Sequence, residues 1–286
     1  MAGLIKADFY RIFKDKLFLI LLIIAGAMAL VYPLIYFGTF YFLAEASNTD
    51  VREQSSSIGL ALTMFAPFSN FGLLLSIFMI IILYKDFSNG TIRNKIIMGK
   101  SREQVFFADL FVSIIFVVGV VFAYVLLTFC FSCIFFKTGF TVENVGDYFV
   151  RLLLELFGWV VLASMMNFFV NAMKNVGLGI MLFIMVGLVF TFGGSIISAT
   201  ATSLEMVDRT NYESTVYVLK LLTDLNFIYS MTSTVPGESG IFAILGVSGE
   251  TKLEAVFYLR YFISIVVFAS ASVGFGYLIF RNRDLK

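Results

Sequence analysis

The chain has 286 residues, of which 60% are hydrophobic and only 14% charged, a balance that excludes an ordinary soluble globular domain and marks an integral membrane protein. Its formal charge of +1 comes from 20 basic and 19 acidic residues, and it contains no histidine. Six apolar stretches reach the roughly 20 residues that a helix needs to cross a bilayer: 17–42, 65–84, 105–136, 149–170, 176–197 and 257–280. Barrel strands are far shorter and alternate in polarity, so the expected fold is an all-α membrane protein with six transmembrane helices in a single domain over 1–286.

In chain order, residues 1–16 come first and read as an amphipathic interfacial helix. Ile5, Phe9, Ile12 and Phe13 share one arc, while Lys6, Arg11, Lys14 and Asp15 spread around the rest. This basic segment precedes an apolar run longer than that of a signal peptide, and no A-x-A site follows, so the first span is expected to be retained. Pro33 inside it predicts a kink or local opening. Lys and Arg accumulate on the cytoplasmic side of membrane proteins. With both termini cytoplasmic, the inner segments hold thirteen cations against six acids, and the outer segments seven against thirteen. The near-zero net charge hides a strongly polarised chain.

Between the second and third spans, 85–104 carries Lys85, Arg93, Lys95, Lys100 and Arg102. Positive-inside bias accounts for such charge, but the segment is more than a slack connector. Gly90 and Thr91 open a short helix that stops at Gly99, and Ser101 with Gln104 forms a capping box at the start of the third span. Arg93, Lys95 and Lys100 are expected to be available on this rigid element. The run "DFSNGTIRNKIIMGKSR" resembles the cytoplasmic coupling loop of the ABC type-2 exporter permeases. Asp86 leads it, Gly90, Thr91, Ile92, Arg93, Lys95 and Ile96 form the short helix, and Gly99, Lys100, Ser101 and Arg102 lead out. "LIKADFYRIFKDK" before the first span and the closing "YLIFRNRDLK" resemble the same family.

The resemblance implies a transmembrane permease whose coupling loop seats in a groove of a separate ABC ATPase. It implies two ATPase subunits and a second permease chain, identical or homologous, in the lipid of a bacterial plasma membrane. ATP and magnesium are then bound by the partner, and no cofactor or enzymatic activity is expected in this chain. For Ile5, Phe9, Arg11, Ile12 and Phe13 two readings stand side by side: a membrane anchor, or part of the ATPase-contacting surface.

Other features have simpler readings. Gly99-Lys100-Ser101 ends like a phosphate-binding loop, but Asn94 stands where that loop's first glycine belongs, so helix-capping roles explain the triplet better. The sequon at Asn89 falls on the cytoplasmic side, away from glycosylation. Cys130 and Cys133, inside the third span without further ligands, read as small packing residues. The middles of the clear spans lack ionisable groups, which argues against a proton relay or a charged filter. Arg151 and Glu155 are expected to pair near the outer end of the fourth span, and Asn167 and Asn171 to hydrogen-bond at its inner end. Ser270, Ser272, Gly274 and Gly276 repeat a small-residue packing spacing in the sixth.

The outer segment 198–256 is too long to lack structure. Thr210 and Glu213 predict a capping box for a helix whose Glu213, Lys220 and Asp224 share one face while Val218, Leu222 and Leu225 point elsewhere. The apolar run 241–247 is too short to span and resembles the family's re-entrant helices. The function expected is ATP-driven export of an apolar or amphipathic peptide, lipid or drug. A partner-independent channel and a ligand-sensing membrane scaffold are the alternatives. An intramembrane enzyme lacks a catalytic set within the spans, and no nucleic-acid partner is expected.

Overall fold

The computed structural model describes residues 2–47, 56–64, 70–139, 145–173, 175–207, 212–233 and 255–282. Among them lie eleven helices: α1 (Ala2–Lys14), α2 (Lys16–Ser47), α3 (Ser57–Thr63), α4 (Asn70–Ser88), α5 (Thr91–Ile97), α6 (Arg102–Phe135), α7 (Val145–Ala172), α8 (Val176–Val207), α9 (Glu213–Leu225), α10 (Phe227–Ser233) and α11 (Ala255–Asn282). Six of them, α2, α4, α6, α7, α8 and α11, are long and apolar enough to cross a membrane. They are apolar around most of their circumference, as spans must be, whereas α1 is strongly one-sided. The helix α2 runs on through Pro33, and α8 continues past 197 to Val207.

The centre of the bundle is α7, which packs against α4, α6, α8 and α11. Trp159 on α7, Phe71 on α4, Tyr124 on α6 and Tyr261 on α11 are all fully enclosed, and the Phe71 and Tyr124 rings lie 4.1 Å apart. Lipid is as apolar as these side chains, so their mutual burial adds little driving force in a bilayer; close packing and polar contacts must hold the helices together. Gly194 shows this directly. A Cβ there would fall 2.4 Å from the Tyr229 ring, so α8 and α10 approach at this distance only because glycine has no side chain. Asn167 Nδ2 donates to Ser113 Oγ on α6 at 3.4 Å, and Asn171 Nδ2 donates to Asn167 Oδ1 at 2.6 Å, as their spacing suggests. Large apolar side chains stand exposed on α2 (Leu19, Ile23, Leu34), α8 (Met181, Val189, Phe192) and α11 (Leu259, Val267, Phe275), the surface a bilayer would cover.

The opposite end of the bundle from α5 carries α3, α9 and α10. The sequence reading missed α3; its backbone is anchored by Ser57 N–H donating to Lys137 O at 2.8 Å. The helix α9 starts at Glu213 behind Tyr212 with no side-chain cap, while Thr210 and the apolar run 241–247 lie outside the described residues. Its buried residues are Val216 and Thr223, whereas Val218 and Leu222 are about half exposed, because α9 lies flat on α8 and α11. Lys220 pairs with Glu205 of α8 at 3.0 Å and Arg260 of α11 with Asp224 at 2.8 Å, so the polar residues face neighbouring helices as well as solvent. Arg151 pairs with Asp147, one turn before it, at 2.7 Å; Arg151 and Glu155 are both buried.

Candidate functional site

The turn into α5 is made by Gly90, whose φ of 67° lies in the left-handed region that only glycine enters freely. At the other end Lys100 N–H donates to Lys95 O at 3.3 Å and Gly99 N–H to Ile96 O at 2.9 Å, with Gly99 at φ 82°. This paired arrangement is a Schellman motif, and it satisfies carbonyls that a helix of seven residues would otherwise leave open. Ser101 Oγ then accepts from Gln104 N–H at 3.2 Å and starts α6. The link between the two spans is therefore defined at both ends.

Helical periodicity sorts the residues of α5 into two faces. Ile92 and Lys95 are buried and Ile96 half-buried, on the inward face. Ile92 joins a separate apolar cluster with Leu4, Val105, Phe106, Ala108, Leu110 and Phe280, built from α1, α5, α6 and α11. Facing outward are Arg93 and Lys100, with Ile97 and Met98 about 70% exposed at the tip. Arg102 is directed back to the end of α11, where Nη1 donates to Arg281 O at 2.7 Å, and Thr91 is half-buried.

Lys95 is the main departure from the sequence reading, which had it available at the surface. Its side chain is 6% exposed, and Nζ lies 2.8 Å from Asp8 Oδ1 on α1 and 2.8 Å from Asp109 Oδ1 on α6. The cause is geometric: Lys95 follows Ile92 by three residues and so points inward with it. Burial opposes its charge, but Asp109 and Asp8 more than offset that and hold its pKa above the ordinary 10.5. Asp86 is buried too, hydrogen-bonded by Arg11 from α1, and Arg11 also lies 3.7 Å from Asp8. Five charged groups from α1, α4, α5 and α6 thus interlock.

The face that α1 buries is correspondingly rotated from the one expected. Leu4, Asp8 and Ile12 are buried, Ile5, Phe9 and Arg11 intermediate, and Phe13 is 62% exposed while its ring meets Phe18 and Phe116 edge-on. A signal was present: Asp8 sits four residues from both Leu4 and Ile12, and a carboxylate on a buried stripe requires a cation. At the far end of α1, Asp15 bridges to Lys85 at 2.6 Å.

Oxygens of Asp8, Asp86 and Asp109 lie within 4.8 Å of one another, a donor set that a hard cation accepts. Lys95 and Arg11 already supply positive charge there, and a metal would have to displace Lys95. A small cavity beside the cluster, bounded by Asp86, Asp109, Asn167 and Asn171, has about 10 Å³, room for about one water molecule. The site is thus a structural junction with an exposed, partly apolar tip, and its carboxylates are held for pairing.

Six apolar spans and a short linker helix joined by ion pairs to an amphipathic helix define a multi-pass membrane protein. The family model described as ABC-2 family transporter protein matches residues 4–194, two thirds of the chain, and the chain belongs to that family. No curated protein matches it. The protein is accordingly a membrane permease component of an ABC transporter, and membrane components of this family work with ABC ATPase subunits. The matched region includes nearly all of α1, the whole ion-paired junction, the first four spans and the first part of the fifth.

Proposed function

We propose that this chain is half of the membrane pathway of an exporter in the plasma membrane, with both termini and α5 cytoplasmic. Two such chains, identical or homologous, form the pathway, and two ATPase subunits bind below and supply ATP and magnesium. The cargo is an apolar or amphipathic peptide, lipid or drug, in keeping with the Phe-rich, charge-poor spans.

One observation carries this reading: Arg93, Ile97, Met98 and Lys100 face outward from a short helix that turns in at Gly90, closes in the Schellman motif at Gly99 and is pinned behind by Lys95. An exposed apolar tip flanked by cations suits a groove in a partner protein, because burial of the tip gives affinity and the cations set orientation. When the ATPases close, a push on α5 reaches α4 through Gly90, α6 through Ser101, and α1, hence α2, through Lys95 and Asp8. The ion pairs stop α5 from simply bending aside.

The test separates the two faces of α5. The tagged chain is purified in mild detergent from its native cell, and its stoichiometric partners are weighed. Replacing Arg93, Ile97, Met98 and Lys100 with Ser is expected to remove the ATPase while leaving the chain folded and monodisperse. A wild-type chain that purifies without any ATPase, or a variant that keeps it, would return the protein to the channel or scaffold readings.

A further inference from the structure

A second feature lies on the other side of α1. Between α1 and the end of α4 opens a groove of about 470 Å³, within the size range of ligand pockets, lined by Tyr10, Arg11, Lys14, Asp15, Lys85 and Asn89 among others. It has three cations and two carboxylates, but they are not equally accessible. Arg11 and Lys85 side chains are 35% and 39% exposed and Lys14 is exposed, whereas Asp15 is 18% and Asp86 5% exposed. The acids lie beneath and hold the cations in place; the cations face the opening. Lys14 is also held, its Nζ 4.6 Å above the Tyr10 ring.

The surroundings identify what meets this opening. Tyr10 and Phe13 are each 62% exposed, aromatic side chains of the kind that sit at headgroup level. Directly after Asp15 the chain enters α2, where Leu19, Ile20 and Ile23 are exposed. A cationic cup at the end of α1 is thus followed along the chain by exposed apolar side chains at the start of α2. That sequence of charge, aromatic ring and hydrocarbon matches one molecule placed upright: headgroup phosphate, glycerol and acyl chain.

We propose that this groove binds the phosphate of an anionic phospholipid in the leaflet that carries α1, with Arg11, Lys14 and Lys85 as its cationic contacts and Asn89 as a neutral donor. Basic clefts between spans and an interfacial helix take lipid headgroups by this chemistry. The site is independent of the outward tip of α5 and does not rest on the partner assigned to it. The bound lipid completes the wall between α1 and α4, the two elements that Arg11–Asp86 and Lys85–Asp15 already join.

The test is native mass spectrometry of the intact complex released from nanodiscs of phosphatidylcholine containing a fraction of phosphatidylglycerol. Wild type is expected to retain phosphatidylglycerol in preference to phosphatidylcholine. Lys14→Gln, which breaks no ion pair among the described residues, should weaken that retention about five-fold, and Lys14→Gln with Lys85→Gln by more. Lys6→Gln removes the same charge from an exposed position outside the groove and should leave retention unchanged. Equal retention of the two lipids, or equal losses from Lys6→Gln and Lys14→Gln, overturns the proposal. Protection of Lys14 from amine-reactive labelling by inorganic phosphate but not by phosphatidylglycerol also overturns it, since the groove would then serve a soluble anion. Labelling blocked only in the ATPase-bound complex, whatever the lipid, would assign the groove to a protein segment and overturn it equally.

Discussion

Replacing Lys95 with Met separates a surface cation from a buried one. Lys95 Nζ lies within 2.9 Å of both Asp8 and Asp109, with 6% of its side chain exposed against 4% and 14% for theirs. Around it three carboxylates share two cations, Lys95 and Arg11. Methionine fills similar volume but leaves three carboxylates to one guanidinium, and stranding buried charge in this way costs about 3–5 kcal/mol. A fully exposed lysine would cost under about 0.5 kcal/mol. Equilibrium unfolding in mixed micelles should therefore show a loss of more than about 3 kcal/mol, more than a hundred-fold in the folding constant. Lys95→Met combined with Asp109→Leu returns the cluster to two carboxylates and one cation, the same excess of one negative charge as in the wild type. It should recover at least about 1 kcal/mol, since residues in one ion network couple by about 0.5–3 kcal/mol. A Lys95→Met variant within about 0.5 kcal/mol of wild type, or a double mutant equal to the sum of its parts, would refute the interlocked junction.

Two further perturbations probe the same region. Gly99 has φ 82° and open space around its missing Cβ, so Gly99→Val carries a conformational cost alone, about 1–2 kcal/mol. It should re-aim Ile97 and Met98 and weaken ATPase co-purification several-fold, while Gly99→Asn, which tolerates this conformation, keeps most of it. Burial would raise the pKa of Asp15, but the Lys85 hydrogen bond, the Leu17 amide and the charges of Lys85 and Arg11 outweigh it and hold the carboxyl below its ordinary 3.8. A lowered acid pKa adds stability above the unfolded value that is lost as pH falls through the folded one. Spin-label distances between α1 and α4 should therefore stay constant from pH 7 to 5 and broaden only below about pH 3.8, modestly because the pair is part-exposed. Asp15→Asn should show the broadened distribution at every pH.

Much of the site could be read directly from the chain, and what could not has a common cause. Gly90, Gly99 and Ser101 were assigned from local chemistry, since a left-handed turn or an N-cap depends on residues a few positions away. Asn167 and Asn171 are four apart on one helix and met as expected. Lys95 was misplaced because its partners, Asp8 and Asp109, come from other helices and nothing in the loop itself names them. Asp109 stood only as one more inner acid near the start of a long apolar run. Arg151 also has Asp147 one turn before it, a partner at the same spacing as Glu155 that the sequence reading did not name.

By itself the sequence determined that this is a six-span helical membrane protein with a polarised charge distribution and a capped helix between spans two and three. These properties follow from the hydrocarbon thickness a helix must cross and from backbone preferences, both local quantities. Tertiary structure alone decided which face of α1 and of α5 turns inward, and so which cations are buried in pairs and which stay exposed. That choice belongs to the packed assembly, because a charge enters a low-dielectric interior only where opposite charges from other helices converge on it.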